Sequence, residues 1–252
     1  MAVKKIQQKF LELSHSLVTP LSGMYSCTDG YWLKVSLPPG LSSHEMNDCS
    51  SLVVRRRLIA KGEYLFRTDD ASQYLYAVLS GSFKSCLLSA GKEEQVLQFF
   101  FSGDHIGLNG FDNEKFACSA VALEDSQVCE LPYEELDRLC LGSLAIVQWL
   151  HSISARELSY SQKMLLLLGK KNAKQRVAYF FLVLSEKLKQ KGLSGYEFRL
   201  SMPRKDIANH LGLAVETISR VLTKLHNEAV IDVNGKGIVV KDRLALQALS
   251  MG

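Results

Sequence analysis

Residues 204–223 read RKDIANHLGLAVETISRVLT, and this stretch decides the fold of the C-terminal part of the chain. Gly212 lies between two segments with helical spacing, at a turn where a positive φ is inexpensive only for glycine. Pro203 and Asp206 suit the first turn of the first helix. Small or apolar residues occupy the positions where two crossing helices meet: Ile207, Ala208, Leu211, Ile218 and Val221. The pattern predicts a helix-turn-helix, with an ordinary corner between two helices as the alternative.

The second helix of this motif separates a buried side from an outward face. The buried side is predicted to comprise Val215, Ile218, Val221, Leu222 and Leu225. Glu216, Ser219 and Arg220 share the outward face near the N-terminal end, which enters the major groove in such motifs and offers partners for guanine and cytosine edges. The alternative for two of them is a surface ion pair between Glu216 and Arg220. Further candidate DNA contacts are Val215, Thr217 and Arg204.

A hairpin signal follows the second helix. Two apolar runs, Val230–Val233 and Ile238–Val240, flank Asn234-Gly235, a favoured pair for a tight turn between two strands. A hairpin directly after a helix-turn-helix makes a winged helix. Lys236 at the tip would reach a DNA phosphate, with a solvated turn lysine as the alternative.

Charge is distributed unevenly along the chain. Residues 1–150 carry 13 Lys/Arg and 18 Asp/Glu (−5), and residues 151–252 carry 17 and 8 (+9), which sum to the formal net charge of +4. A basic C-terminal part suggests contact with a polyanion, although many basic domains bind nothing acidic. Double-stranded DNA is the predicted partner.

Short apolar runs separated by turn glycines dominate residues 51–135. The runs are Leu52–Val54, Tyr64–Phe66, Tyr74–Leu79, Phe83–Leu88, Val96–Phe101, Ala117–Ala122 and Val128–Leu131. Strands of this length at regular spacing predict a compact β sandwich or β roll. Before them, the apolar spacing over 3–17 predicts one helix, and 18–50 are typical of irregular structure.

Three helices are predicted between the strands and the helix-turn-helix. Pro132 opens the first, and Asn172 is expected to cap the third, which ends before Gly192. The second spans about 143–168 without an internal proline or glycine. Its apolar stripe pairs with a second copy, packs on its own β domain, or does both. The stripe comprises Ile146, Leu150, Ile153, Tyr160, Met164 and Leu167.

Composition and motifs argue against several classes of protein. The chain has 252 residues, of which 47% are hydrophobic and 22% charged, as in ordinary globular proteins. Its apolar runs fall short of the about 20 residues that span a bilayer, and its start lacks the apolar core of a secretory signal. A cytoplasmic protein with no membrane partner is therefore predicted. Because no Ser-His-Asp, zinc or P-loop motif occurs, neither an enzyme nor a metal site is expected.

A β roll, a long helix and a winged helix-turn-helix, in this order, resemble the cyclic-AMP receptor / fumarate-nitrate-reduction regulator (CRP/FNR) superfamily of bacterial transcription factors. MLLLLGKKNAKQR (164–176) and EFRLSMPRKDIANHLGLAVETISRVL (197–222) are similar to its fumarate-nitrate-reduction branch. That family's recognition helix reads E-x-x-S-R, present here as Glu216, Ser219 and Arg220. The resemblance implies an α+β fold with four parts: an N-terminal segment 1–50, a cyclic-nucleotide-binding-like β roll 51–135, a linker and dimerisation helix 136–170, and a DNA-binding winged helix 171–252.

The chain departs from the cyclic-nucleotide-binding members at the phosphate-binding segment. Those members carry a Gly-Glu pair and an Arg-Ser pair for the ribose and cyclic phosphate. Here Gly107 is followed by Leu108, and Phe116-Ala117 stand where Arg-Ser would be. Because no cation of the usual pair remains to neutralise the phosphate, cyclic AMP is not expected to bind in the usual way.

The chain also departs from the oxygen-sensing branch, which holds a [4Fe–4S] cluster on four cysteines. The resemblance puts Cys27 and Cys129 on two ligand positions, but Gly30 and Ser36 occupy the other two. A cubane cluster uses four thiolates, so no cofactor is predicted and packing is the favoured role of the two thiols. A remnant cluster site and a redox disulfide are the alternatives. Haem is a further alternative, with His44 and His105 as candidate ligands.

The function predicted from these features is that of a homodimeric, sequence-specific transcription regulator. The resemblance implies an inverted repeat of TTGAT-like half-sites as its target and RNA polymerase as a further partner. The alternative is a thiol- or haem-based sensor of small molecules whose DNA binding is secondary or lost.

Overall fold

The structure is a computed structural model that describes residues 55–91, 93–111 and 114–251. The helix predicted over 3–17, the irregular segment 18–50 and the strand predicted at Leu52–Val54 lie outside the described residues. So do Cys27, Gly30, Ser36 and His44. Within the described residues, none of the helices is both long and apolar enough to cross a membrane.

Eight strands form a β roll of two four-stranded antiparallel sheets. They are β1 (Arg55–Ile59), β2 (Tyr64–Phe66), β3 (Tyr74–Ser80), β4 (Ser82–Leu88), β5 (Glu94–Phe101), β6 (His105–Ile106), β7 (Ser119–Ala122) and β8 (Ser126–Pro132). One sheet has the order β1-β8-β3-β6 and the other β2-β7-β4-β5, so β5 is an edge strand. Six of the seven predicted runs coincide with strands. Strands β1 and β6 were not predicted.

Strand β3 shows that its sheet is covered on one side by the second sheet of the roll and on the other side by helices. Successive strand residues point to opposite sides. Tyr76 and Val78 are buried between the two sheets, whereas Leu75, Ala77 and Leu79 are buried against the helices that follow the roll. Both faces are therefore covered, which explains why β3 is apolar almost throughout.

Two helices connect the roll to the C-terminal part. They are α1 (Tyr133–Gly142) and α2 (Leu144–Lys170), as the sequence predicts. The Ser143 hydroxyl accepts a hydrogen bond from the Ile146 amide and begins α2. In the predicted stripe, Ile146 and Ile153 pack on the roll, while Met164 and Leu167 join the core of the C-terminal domain. The prediction that the stripe packs on its own β domain is confirmed for Ile146 and Ile153, and pairing of the helix with a second copy stays a prediction.

A second stripe of α2 faces solvent. Leu144, Leu158 and Leu165 are 70%, 62% and 73% exposed, and His151 between them is also exposed. These four residues, which we call the α2 seam, recur every seven positions, the repeat by which helices pair side by side. The helix over about 143–168 was predicted as the dimer interface, and of its two stripes the α2 seam is the one exposed in the protomer.

The C-terminal domain comprises α3 (Ala173–Gln190), β9 (Glu197–Arg199), α4 (Arg204–His210), α5 (Val215–Asn227), β10 (Ile231–Asn234), β11 (Gly237–Val240) and α6 (Arg243–Met251). Asn172 and Gln175 form a reciprocal capping box at the start of α3, as the sequence predicts for Asn172. The predicted hairpin is β10–β11, and β9 adds a third strand beside β11. Strand β9 and helix α6 were not predicted.

Candidate nucleic-acid interface

Helices α4 and α5 form the predicted helix-turn-helix. Gly212 has φ +59°, a left-handed conformation that lets the chain reverse between the two helices. Leu213 donates its amide hydrogen to the Ala208 carbonyl at 2.9 Å, which closes the turn. Ile207 of the first helix and Leu211, which directly follows that helix, are buried and pack with Ile218 of the second helix in one core.

Arg176 ties this turn to the rest of the chain. Its guanidinium donates to the carbonyls of Leu168 and Leu211 at 2.8 and 2.9 Å, and to that of Lys171 at 2.8 Å. One side chain thus joins the end of α2, the connection to α3 and the turn between α4 and α5. This role was not predicted, because a basic residue on a helix carries no periodic signal of its partners.

The recognition helix α5 has a buried side and an outward face. Ile218, Leu222 and Leu225 are buried and Val221 is partly buried, as predicted. Val215 was predicted on the buried side, but 38% of it is exposed. It is the first residue of α5, where no preceding helical turn covers it. The exposed position keeps Val215 available as an apolar contact for a thymine methyl group.

The predicted reading residues lie together on the outward face. Glu216 and Arg220 are exposed, while Ser219 and Thr217 are half-buried. Arg220 donates to the Thr217 hydroxyl at 3.3 Å, and no ion pair joins it to Glu216 in the described part of the chain. The predicted alternative of a surface ion pair is therefore not formed. The Arg220 fork keeps most of its five donors for a DNA base.

The two candidate DNA contacts outside α5, Arg204 and Lys236, are also exposed. Arg204 begins α4, and Lys236 lies in the turn of the wing. The backbone holds this wing in place, because the Lys236 carbonyl accepts a hydrogen bond from the Leu200 amide at 2.8 Å. Neither side chain has an ion-pair partner among the described residues. Both cations can therefore meet a phosphate without first losing an internal partner.

The segment assigned by resemblance to a cyclic nucleotide is filled by the protein's own side chains. Phe116, which stands where the arginine would be, is 2% exposed and stacks on Phe66 with ring centroids 3.7 Å apart. The Tyr133 hydroxyl donates to the Gly107 carbonyl at 2.6 Å. A Cβ atom at Gly110 would lie 2.8 Å from the Phe116 ring. The uncharged Phe116 ring therefore packs directly beside Gly107 and Gly110, at the position where the resemblance would place an arginine.

We therefore expect no binding of cyclic AMP in this segment. Titration calorimetry with millimolar cyclic AMP should give no heat above dilution, since a buried phosphate needs a charged partner. Phe116→Arg restores the missing cation and serves as the comparison. Tight binding to the unaltered protein would mean that another cation, with Lys115 the nearest in sequence, supplies the phosphate contact.

The described thiols do not complete the set of ligands for an iron–sulfur cluster. Cys129 lies in β8, fully buried between the roll and α2 beside Leu75 and Leu131. No disulfide joins the described cysteines, which are Cys86, Cys118, Cys129 and Cys140. Burial raises the pKa of Cys86 to about 11 and also raises that of Cys118, which disfavours their metal-binding thiolate forms. With glycine and serine at two of the four family positions, the residues present do not fit a four-thiolate cluster.

Of the two candidate haem ligands, the described one packs against an aromatic ring. His105 in β6 meets Trp149 edge to face, with centroids 5.1 Å apart. The other candidate, His44, lies outside the described residues. No group of three or more His, Cys, Asp or Glu that could hold a metal ion occurs in 55–91, 93–111 and 114–251.

Comparisons with known proteins agree with this architecture. The family model of the cyclic nucleotide-binding domain matches residues 56–143, and that of the Crp-like helix-turn-helix domain matches residues 175–249. The transcriptional activator protein Anr of Pseudomonas protegens is 41% identical over 226 residues, which cover 90% of this chain and 93% of the relative. The fumarate and nitrate reduction regulatory protein of Escherichia coli is 38% identical over 224 residues, covering 89% and 90%.

A solved structure has a similar fold over most of this chain. FixK2 from Bradyrhizobium japonicum matches with a TM-score of 0.74 and 29% identity, over 80% of this chain and 99% of its own. The relatives named above are transcriptional regulators and not enzymes. The chain therefore belongs to the CRP/FNR family and is a DNA-binding transcription regulator.

Proposed function

We propose that this regulator acts as a homodimer in the cytoplasm and reads an inverted repeat of TTGAT-like half-sites through α5. The observation that carries the proposal is the outward face of α5, where Glu216, Ser219 and Arg220 stand side by side at its N-terminal end. Arginine bonds guanine O6 and N7, and glutamate accepts from cytosine N4. One G·C pair in each half-site offers both partners.

The α2 seam supports the dimer. Three leucines more than half exposed on one face of a 27-residue helix form an apolar stripe that a second copy can cover. A dimer is also what an inverted repeat requires, because one winged helix reads only one half-site.

We further propose that DNA binding needs no iron–sulfur cluster. Two of the four cysteine positions of the family lack a thiol in this chain. Cys129 occupies a third of these positions, and apolar side chains enclose it. Packing is then the role of this cysteine. Oxygen does not act as the signal through a cubane cluster in this chain.

The test is a footprint on TTGAT-N4-ATCAA with protein purified in air and treated with a chelator. We expect protection of both half-sites and no protection of a scrambled repeat. Specific DNA-binding proteins exceed their non-specific affinity by about 10³-fold or more, so the two duplexes should separate clearly. Binding that appears only in anaerobically purified protein with a visible chromophore would refute the cluster-free proposal.

The cysteine variants provide the control for that footprint. The double variant Cys27→Ser, Cys129→Ser should bind the repeat with unchanged affinity in air and without oxygen. A loss of binding in both conditions, with normal absorption spectra, would point to a disulfide or to impaired packing. The single variant Cys140→Ser alters a thiol that matches no family ligand position and serves as the matched comparison.

A further inference from the structure

The side chain of Asn209 bonds the helix-turn-helix to the backbone of the β roll at two points. Asn209, near the end of α4, donates from Nδ2 to the Glu94 carbonyl at 2.6 Å and accepts at Oδ1 from the Val96 amide at 2.6 Å. Gln95 returns a hydrogen bond to the Asn209 carbonyl at 3.1 Å. Because β5 is an edge strand, its backbone groups are available, and Asn209 pairs with them as a neighbouring strand would.

The next residue joins this contact to the long helix. His210 is buried, and its Nδ1 lies 3.2 Å from the Val96 carbonyl while its Nε2 lies 3.0 Å from the Tyr160 hydroxyl of α2. A carbonyl oxygen only accepts, so Nδ1 carries the hydrogen. Burial lowers the pKa of His210 to about 4, so the ring is neutral near pH 7. Nε2 is then an acceptor, and the Tyr160 hydroxyl donates to it.

We call Gln95, Val96, Tyr160, Asn209 and His210 together the α4 joint. It connects three bodies: the roll through β5, the long helix α2, and the helix-turn-helix through α4. Phe99 of β5 packs edge to face on the His210 ring at 5.2 Å and on Phe180 of α3 at 6.0 Å, which adds apolar contact to the polar bonds.

Ion pairs between the β roll and the C-terminal domain flank the α4 joint. Lys84 of β4 lies 3.2 Å from the carboxylate of Asp206 in α4. Asp104, in the turn after β5, pairs with Lys187 of α3 at 2.6 Å and with Lys191, which directly follows α3, at 2.7 Å. Burial acts to raise the pKa of Asp104, but the two lysines outweigh it and hold the pKa below its usual value.

The joint leaves the reading face free. It engages α4, whereas Glu216 and Arg220 on α5 stay exposed. Only Lys171 and Asn172 separate α2 from α3, and the Arg176 side chain donates a hydrogen bond to the Lys171 carbonyl in this connection. The orientation of α5 relative to the α2 seam is therefore set by the joint and by the short connection.

We propose that Asn209 and His210 are positioning residues that set the spacing between the two recognition helices of the dimer. The inference rests on the proposed function, because spacing has meaning only for a dimer on an inverted repeat. One additional base pair between the half-sites turns one of them by about 36° and moves it by about 3.4 Å. While these hydrogen bonds hold the joint, the recognition helix cannot move to the rotated and shifted half-site. When the joint is loosened, the helix can move there.

The experiment measures affinity by fluorescence anisotropy for inverted repeats with spacers of four and five base pairs and for a duplex with one half-site. Two variants are used. Asn209→Ala removes both hydrogen bonds to the β5 backbone, and Tyr160→Phe removes only the hydroxyl that donates to His210 while it keeps the ring. Gln247→Ala, which removes an exposed amide from α6 of the same domain, is the matched control.

We expect the unaltered protein and Gln247→Ala to prefer the four-base-pair spacer strongly. Asn209→Ala should lower that preference by about tenfold, the size expected from losing hydrogen bonds in each protomer, and Tyr160→Phe should lower it less. Affinity for the single half-site should not change, since α5 is untouched. A merely structural role for Asn209 would weaken all three duplexes alike and leave the preference intact.

Three outcomes overturn the inference. The first is an unchanged spacer preference in Asn209→Ala and in Tyr160→Phe. The second is tighter binding by both variants, which would make the joint an inhibitory contact. The third is the absence of specific binding by the unaltered protein, which refutes the proposed function along with the inference. Because the third outcome is read from the unaltered protein alone, the two failures are distinguishable.

Discussion

Replacing Arg220 with alanine is expected to abolish most of the discrimination between the TTGAT-like repeat and a scrambled duplex. A bidentate contact between arginine and guanine contributes about 1–3 kcal/mol of discrimination for each base pair. A dimer makes this contact twice, so the loss is about 2–6 kcal/mol, which is about 30-fold to about 20 000-fold in the affinity ratio. Equilibrium anisotropy on both duplexes at one fixed salt concentration measures it.

Two variants separate base reading from charge. Arg220→Lys keeps the positive charge but loses the planar fork, so the affinity for scrambled DNA should persist while discrimination falls. Lys236→Ala removes a candidate phosphate contact from the wing and should weaken both duplexes equally. If Arg220→Ala instead weakens matched and scrambled DNA to the same extent, Arg220 contacts the phosphate backbone and not a base.

Local patterns were sufficient to predict the helix-turn-helix and the wing. Gly212 has the positive φ that its place between two helical segments suggests, and Asn234-Gly235 turns the hairpin between β10 and β11. In both cases the signal and the structure that it specifies lie within a few residues of each other. The long helix α2 was predictable for the same reason, because its limits depend on residues such as Ser143 at its ends.

Contacts between distant segments could not be predicted from these patterns. Strand β1 contains three successive arginines, and it pairs with β8, where the buried Glu130 lies 3.8 Å from Arg57. Nothing local in the sequence indicates that partner. The α4 joint escaped prediction for a related reason. Asn209 and His210 bond backbone groups of β5, and every residue carries such groups, so the sequence does not mark which ones are used.

The two stripes of α2 illustrate the same limit. Both are apolar at helical spacing, and only the position of the roll and the C-terminal domain determines which stripe is covered. Ile146 and Ile153 pack on the roll, whereas Leu158 and Leu165 remain exposed. This difference makes the α2 seam the expected dimer interface of this helix.

Leu158→Glu is expected to convert the dimer into a monomer at micromolar concentration. Burying a leucine contributes about 1.5–3 kcal/mol, so two copies contribute about 3–6 kcal/mol, and two facing carboxylates add repulsion. The dissociation constant should rise by at least about 100-fold. Sedimentation equilibrium measures the change. Because Leu158 is 62% exposed in the protomer, the variant should keep its helical circular dichroism.

Ser152→Glu provides the matched control for charge on the same helix. Ser152 is exposed on the flank of α2, and its hydroxyl donates only to the Trp149 carbonyl of its own helix. This variant should remain dimeric and keep its affinity for the inverted repeat. Leu158→Glu should bind the repeat no better than a single half-site, since each protomer then reads DNA alone. A dimer that survives Leu158→Glu would place the interface away from the α2 seam.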